Sequence, residues 1–92
     1  MPHTFEVRAD RLNNKTAKAY SFLESSYRKN RIFLFVPFSQ IIKEEVFDKV
    51  LSPTNPNTVE WYRFTVKDWI WEKGEFEEKL SHFGDSKALI IK

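Results

Sequence analysis

Three side chains near the C-terminal end of the chain are of types that bind metals or transfer protons. Glu75, Glu78 and His82 follow one another at spacings of three and four residues, so a helix over 75–83 would place them on one side. Two carboxylates and an imidazole so arranged can hold a divalent metal ion or act as an acid–base pair. A solvated face of an amphipathic helix explains the same pattern. A small metal-dependent enzyme therefore ranks third among the functions considered.

Other familiar chemistries lack the residues that they need. The only glycines are Gly74 and Gly84, whereas phosphate-binding loops and nucleophile elbows need glycine where the backbone turns sharply or a ligand approaches it closely. The chain has no cysteine, which excludes disulfides, thiol nucleophiles and thiolate metal sites. We therefore expect a protein that is not an enzyme and that carries no cofactor.

Aromatic side chains are concentrated in residues 58–71, which include all three tryptophans. In a strand, Tyr62 and Phe64 would share one face, and Trp61 would lie on the other beside charged residues. Full burial of an indole contributes up to about 4–6 kcal/mol, so Trp61 needs a cover, either a second layer of the domain or a partner. Interface cores are rich in Trp, Tyr and Arg. The predicted binding residues are Trp61, Arg63, Lys67, Trp69 and Trp71.

Basic residues are concentrated at the other end of the chain. Residues 1–31 hold seven Lys and Arg against three Asp and Glu, although the net charge of the whole chain is only +2. A helix predicted over 15–29 would gather several of them on one side, which suits contact with phosphates. The candidates for such contact are Arg11, Lys15, Lys18, Phe22, Arg28, Lys29 and Arg31. Phe22 would either stack on a base or border the core. Solubilising surface lysines are the alternative interpretation.

The periodicity of the chain predicts a single α/β or α+β domain over residues 1–92. Strands are expected at 4–8, 31–38, from 59 and at 88–91, helices at 15–29, 40–51 and 75–83, and a loop at 52–57. The order βαβαβαβ, with about four strands and three helices, indicates a two-layer or three-layer sandwich. The strand at 31–38 is apolar in both phases and is expected to be central in its sheet.

The hypothesis that these patterns favour is a non-enzymatic module that binds a macromolecule. A protein-protein interaction, as a homodimer, an adaptor or a small inhibitor, is favoured because it explains the tryptophans better. Nucleic-acid binding, which explains the lysines better, is the alternative. It would use the predicted first helix and an open strand face with Trp61, Arg63 and Lys67 in one row, on which bases would stack. The longest apolar run, seven residues at 32–38, is shorter than the roughly twenty residues of a membrane span. The chain is accordingly expected to be cytoplasmic and not associated with a membrane.

Overall fold

The fold consists mainly of β-strands. The computed structural model describes residues 1–25, 31–83 and 89–91. Along these residues the elements are β1 (His3–Arg8), β2 (Leu12–Lys15), β3 (Ala19–Ser25), β4 (Arg31–Pro37), β5 (Ile41–Ser52), β6 (Asn55–Val66), α1 (Asp68–Lys73), α2 (Phe76–Ser81) and β7 (Leu89–Ile91). Single 3₁₀ turns at Ala9–Arg11 and Phe38–Gln40 precede β2 and β5.

The strands form two antiparallel sheets that face each other. Sheet I has the strand order β5-β6-β1-β7, and sheet II has the order β2-β3-β4. The predicted βαβαβαβ order is therefore wrong, since the described chain shows a β-sandwich with two short helices in place of alternating strands and helices. Within the residues that the structure describes, only the helix predicted over 75–83 has a counterpart, which is α2.

Residues 15–25 form a hairpin instead of a helix because Thr16 organises a turn. Its hydroxyl accepts hydrogen bonds from the backbone N–H groups of Lys18 and Ala19, at 3.2 and 3.1 Å, and threonine bonded in this way favours turns over helix interiors. The following strand then alternates, with Tyr20 and Phe22 facing the core. Aromatic residues at every second position fit a strand at least as well as a helix.

Residues 41–52 form the twelve-residue strand β5, although a helix was predicted there. That prediction relied on Ile42, Val46 and Val50, which recur every four residues. Four is close to one helical turn and is also two strand repeats, so this spacing fits both periods. The strand is stabilised by pairing with β6 along its length. A loop was predicted over 52–57, and the structure has a short hairpin turn at 53 and 54 in its place.

The core lies between the two sheets. Sheet I contributes Phe5, Val7, Phe64 and Val66, and sheet II contributes Tyr20, Phe22, Leu34 and Val36. The two helices close one end of the sandwich with Trp71, Phe76, Leu80 and Phe83. A Cβ at Gly74, between the helices, would lie 2.5 Å from the Phe76 ring, so glycine allows this close approach.

The apolar strand at 31–38 is confirmed as β4, but it lies at an edge of sheet II and not at the centre of a sheet. Leu34 and Val36 face the core and are fully buried, whereas Phe35 on the opposite face is 54% exposed and stacks on Phe33. The strands predicted at 4–8 and from 59 are confirmed as β1 and β6.

Candidate interaction surface

The long β5–β6 hairpin extends beyond the sheet that covers the core. β1 pairs with β6 only from Trp61 to Val66, whereas β5 pairs with β6 down to Asn55. One face of the hairpin is the same face of sheet I that lines the core, but sheet II does not extend over this part of it. We call it the front face, and it comprises Glu44, Val46, Asp48, Val50, Thr58 and Glu60.

Apolar side chains on the front face are left open to solvent. Val46 is 53% exposed and Val50 is 58% exposed. They lie on β5, which is the outermost strand of sheet I in the described chain, so its outer backbone edge borders the same surface. Exposed apolar groups beside a free strand edge are a common feature of sites where another chain adds a strand.

Acidic side chains alternate with these valines. Asp48 lies directly opposite Glu60 across the hairpin, and both side chains are exposed. Neither carboxylate, nor that of Glu44, forms an ion pair with a cation of the described chain. Like charges in directly opposite positions destabilise an antiparallel pair. The front face therefore has a local negative charge that a basic partner would neutralise.

A cleft opens at the base of the front face, between β5 of sheet I and β2–β3 of sheet II. Its volume is about 290 Å³, and it is lined by Lys15, Tyr20, Phe38, Ile41 and Glu44. The Tyr20 hydroxyl donates a hydrogen bond of 2.8 Å to Glu44 Oε2. Burial, and after it this bond to the carboxylate, raises the pKa of Tyr20 far above its ordinary value, so the hydroxyl stays a donor at physiological pH.

The back face of the same hairpin is covered by its own side chains. Glu6 is only 3% exposed and receives hydrogen bonds from Lys49 Nζ at 2.5 Å and from Arg63 Nε at 2.8 Å. The Lys49 ammonium lies 4.5 Å from the ring centroid of Trp61, and the Arg63 guanidinium lies 4.6 Å from that of Phe47. These contacts leave Trp61 only 8% exposed and hold the hairpin against β1.

The carboxylate at the centre of the back face makes stability depend on pH. Burial alone would raise the pKa of Glu6, but the hydrogen bonds and charges of Lys49 and Arg63 outweigh burial and lower it. A group with a lowered pKa in the folded state stabilises the fold above its unfolded pKa, which is about 4.3, and this contribution is lost as the pH falls through the folded value.

We therefore expect Glu6→Gln to lower the free energy of unfolding by about 1–3 kcal/mol at pH 7 and by much less at pH 3. Urea unfolding of both proteins between pH 3 and 7 measures this difference. A difference that stays constant across the range would show that the Glu6 charge does not stabilise the fold.

The residues of the predicted aromatic binding site do not share one surface. Trp61 and Trp71 are buried, at 8% and 6% exposure, while Trp69 in α1 is 57% exposed. Arg63 is engaged by Glu6, and Lys67 is exposed just before α1 begins. A role of these residues in binding stays a prediction, but an open row of Trp61, Arg63 and Lys67 is not present.

The residues proposed for phosphate contact are separated in space. Lys15 and Lys18 are exposed on either side of the first hairpin turn, whereas Arg31 is exposed where β4 begins, at the opposite end of sheet II. Arg11 forms an ion pair with Glu24, with 3.8 Å between Nη1 and Oε1. Phe22 is fully buried in the core and is not placed to stack on a base. Arg28 and Lys29 lie outside the described residues.

The predicted metal ligands are not brought together. The helix α2 has only six residues, and Glu75 precedes it with a left-handed backbone, so it does not share a helical row with Glu78 and His82. Within the described part of the chain, no three His, Asp or Glu side chains are grouped as a metal site requires. The other histidine, His3, lies with Nε2 2.6 Å from Asp68 and lowers the pKa of that carboxyl group.

Comparisons with family models, curated proteins and solved structures return no match for this chain. Among the helices of the described residues, none has the length and apolarity needed to cross a lipid bilayer. Inference about function therefore relies on the surfaces of the molecule itself.

Sequence reasoning missed the residues of the front face and of the cleft. In a helix over 40–51, Val46 and Val50 would share the apolar face, and Glu44 and Asp48 would lie on the opposite side. Reading the same residues with a period of two would have put all four on one face. The pairing partner was also indicated, because a Pro- and Asn-rich turn joins this run to the strand predicted from 59.

Proposed function

We propose that this protein is a non-enzymatic protein-binding module that recognises a basic, extended segment of another protein through the front face of the β5–β6 hairpin. The observation that carries the proposal is the exposure of two valines, Val46 and Val50. Each is more than half exposed, although both lie on the face of sheet I whose other residues line the core. The outer edge of β5 pairs with no other strand of the described residues, and it can accept a further strand through backbone hydrogen bonds.

The chemistry of the partner follows from the charges on this face. Glu44, Asp48 and Glu60 alternate with apolar side chains, and an added strand would present its own side chains toward them at every second position. A segment with Lys or Arg alternating with aliphatic residues complements that pattern. Complementary charge also speeds association and disfavours acidic partners.

A displayed library of random twelve-residue peptides tests the proposed function. We expect the selected peptides to alternate basic with aliphatic residues. We also expect their affinity to fall about tenfold or more for Val46→Thr/Val50→Thr, since two apolar contacts are lost while both threonines suit a strand. Phe35→Thr, which changes an exposed apolar residue on sheet II, is the matched control and should bind as the wild type does.

Asp48→Lys separates loss of binding from loss of folding. A lysine opposite Glu60 should raise the free energy of unfolding by about 0.2–1 kcal/mol, yet weaken the same peptides. Selected peptides that bind all these variants equally would contradict the proposal. A dimer of the wild type in sedimentation, dissociated by the double valine variant, would instead assign the face to a second copy of the chain.

A further inference from the structure

The cleft at the base of the front face has the features of a site for an alkylammonium ion. Its two aromatic walls, Tyr20 and Phe38, meet edge to face with ring centroids 5.0 Å apart and planes inclined by 74°. The Glu44 carboxylate, fixed by the Tyr20 hydroxyl, adds a negative charge at the rim. Aromatic faces joined to a carboxylate attract organic cations, because the negative face of each ring and the carboxylate act in the same direction.

An ammonium group of the chain itself already occupies this corner. Lys15 Nζ lies 5.1 Å from the ring centroid of Tyr20 and 5.9 Å from that of Phe38. The Lys15 side chain forms no ion pair or hydrogen bond with the other described residues, and it is exposed on the outermost strand of sheet II. Within the described part of the chain, its ammonium is held by the two rings alone, so an external cation can displace it.

We propose that the cleft binds an alkylammonium side chain of the partner segment, of the lysine or methylated lysine type, and that Lys15 is an internal competitor for the same position. This inference rests on the proposed protein-binding function for the source of the cation. A side chain projecting from a strand added at the edge of β5 would point toward Glu44 or Val46, next to the cleft. A cleft of about 290 Å³ can admit a trimethylammonium group, which is more weakly hydrated than a primary ammonium.

The experiment uses the ¹⁵N-labelled full chain and four small probes. These are Nα-acetyl-lysine amide, its Nε-trimethyl form, a neutral analogue with a tert-butyl group in place of the trimethylammonium, and phosphocholine. We expect the trimethyl compound to shift the backbone amide signals of Tyr20, Phe38 and Glu44 with a millimolar dissociation constant. The neutral analogue should bind at least about fivefold more weakly. Phosphocholine binding more tightly than the trimethyllysine probe would assign the site to a lipid headgroup and overturn the proposed source of the cation.

Three variants test the roles of the individual residues. Lys15→Ala should tighten binding of the trimethyl probe about two- to fivefold by removing the competitor, whereas Lys18→Ala, an exposed lysine of the same hairpin, should leave it unchanged. Glu44→Gln keeps an acceptor for Tyr20 but removes the charge, and should weaken binding about threefold or more. Equal affinity of wild type and Lys15→Ala, equal binding of the neutral analogue, or no binding to either protein would overturn the inference.

The double valine variant distinguishes this inference from the proposed function. Val46→Thr/Val50→Thr should bind the small cation as the wild type does while losing affinity for the selected peptides. If the cation binds as expected but the peptides bind all variants equally, the cleft stands as a cation site and the front face fails as a docking surface.

Discussion

Replacing Phe64 by alanine should remove a large part of the stability of the fold. Phe64 is fully buried at the centre of the sandwich, where its ring lies 5.3–5.9 Å from the rings of Phe5, Tyr20, Phe22 and Tyr62. Aromatic residues of both sheets therefore pack against this one side chain. Truncation of a buried phenylalanine costs about 3–5 kcal/mol, against a total of about 5–14 kcal/mol expected for a domain of this length.

Urea unfolding followed by tryptophan fluorescence measures this loss, with Phe35→Ala as the control. Phe35 is 54% exposed on the outer face of sheet II, so its truncation should cost less than about 1 kcal/mol. A smaller loss at Phe64 than at Phe35 would contradict the arrangement of the two sheets around a shared aromatic core.

The second large effect is expected at Trp61, on the opposite side of sheet I. Trp61 is 8% exposed and lies beneath the Lys49 ammonium, which is itself bonded to Glu6. Replacing the indole by alanine removes a large apolar contact and leaves a void under a charged group. We expect a loss of about 3 kcal/mol in the free energy of unfolding, at the lower end for buried tryptophan because part of the cover is polar.

Trp69→Ala provides the comparison, because this indole in α1 is 57% exposed. The Lys73 ammonium lies 5.0 Å from the centroid of its ring. Its truncation should cost less than about 1 kcal/mol. The two variants are compared by thermal unfolding under one set of conditions. Equal losses at Trp61 and Trp69 would contradict the packing of the back face of the hairpin.

The strands that the sequence predicts well are those with a single consistent period. β1 alternates apolar and polar residues from Thr4 to Arg8, and β6 does so from Tyr62 to Val66, so alternation alone identifies them. The short helix α2 is also predictable, because Phe76, Leu80 and Phe83 recur at spacings of four and three, and a spacing of three does not fit the alternation of a strand. In these segments, local pattern and tertiary packing favour the same structure.

The sequence predicts the wrong structure for segments whose local pattern fits both a helix and a strand. In these segments, contacts with residues distant in sequence determine which of the two forms. The recurrence of Ile42, Val46 and Val50 fits a helix or a strand, and only pairing with β6 selects the strand. The pairing with β6 also changes the exposure of these side chains to solvent. The valines were expected in a core, and in the strand they are the exposed apolar residues of the front face. A site composed of such residues is not predictable until the strand and its missing cover are known.

Trp61 shows a related limit for the site. Sequence reasoning identified correctly that its face of β6 carries an indole in need of cover, and left open whether the domain or a partner provides it. In the structure, Lys49 of β5 and the charged cluster around Glu6 provide the cover. No local pattern pairs residue 49 with residue 6, because the contact depends on the register of three strands.

The most direct test of the front face as a binding surface is to locate a bound peptide by nuclear magnetic resonance. The ¹⁵N-labelled protein is titrated with a peptide selected from the displayed library, and the change of each backbone amide signal is recorded. We expect the largest changes at residues 43–50 of β5 and 58–62 of β6, with little change around Phe35 or Trp69. Largest changes on β4 or α1, with the signals of 43–50 unmoved, would contradict the proposed recognition of a basic segment by this hairpin.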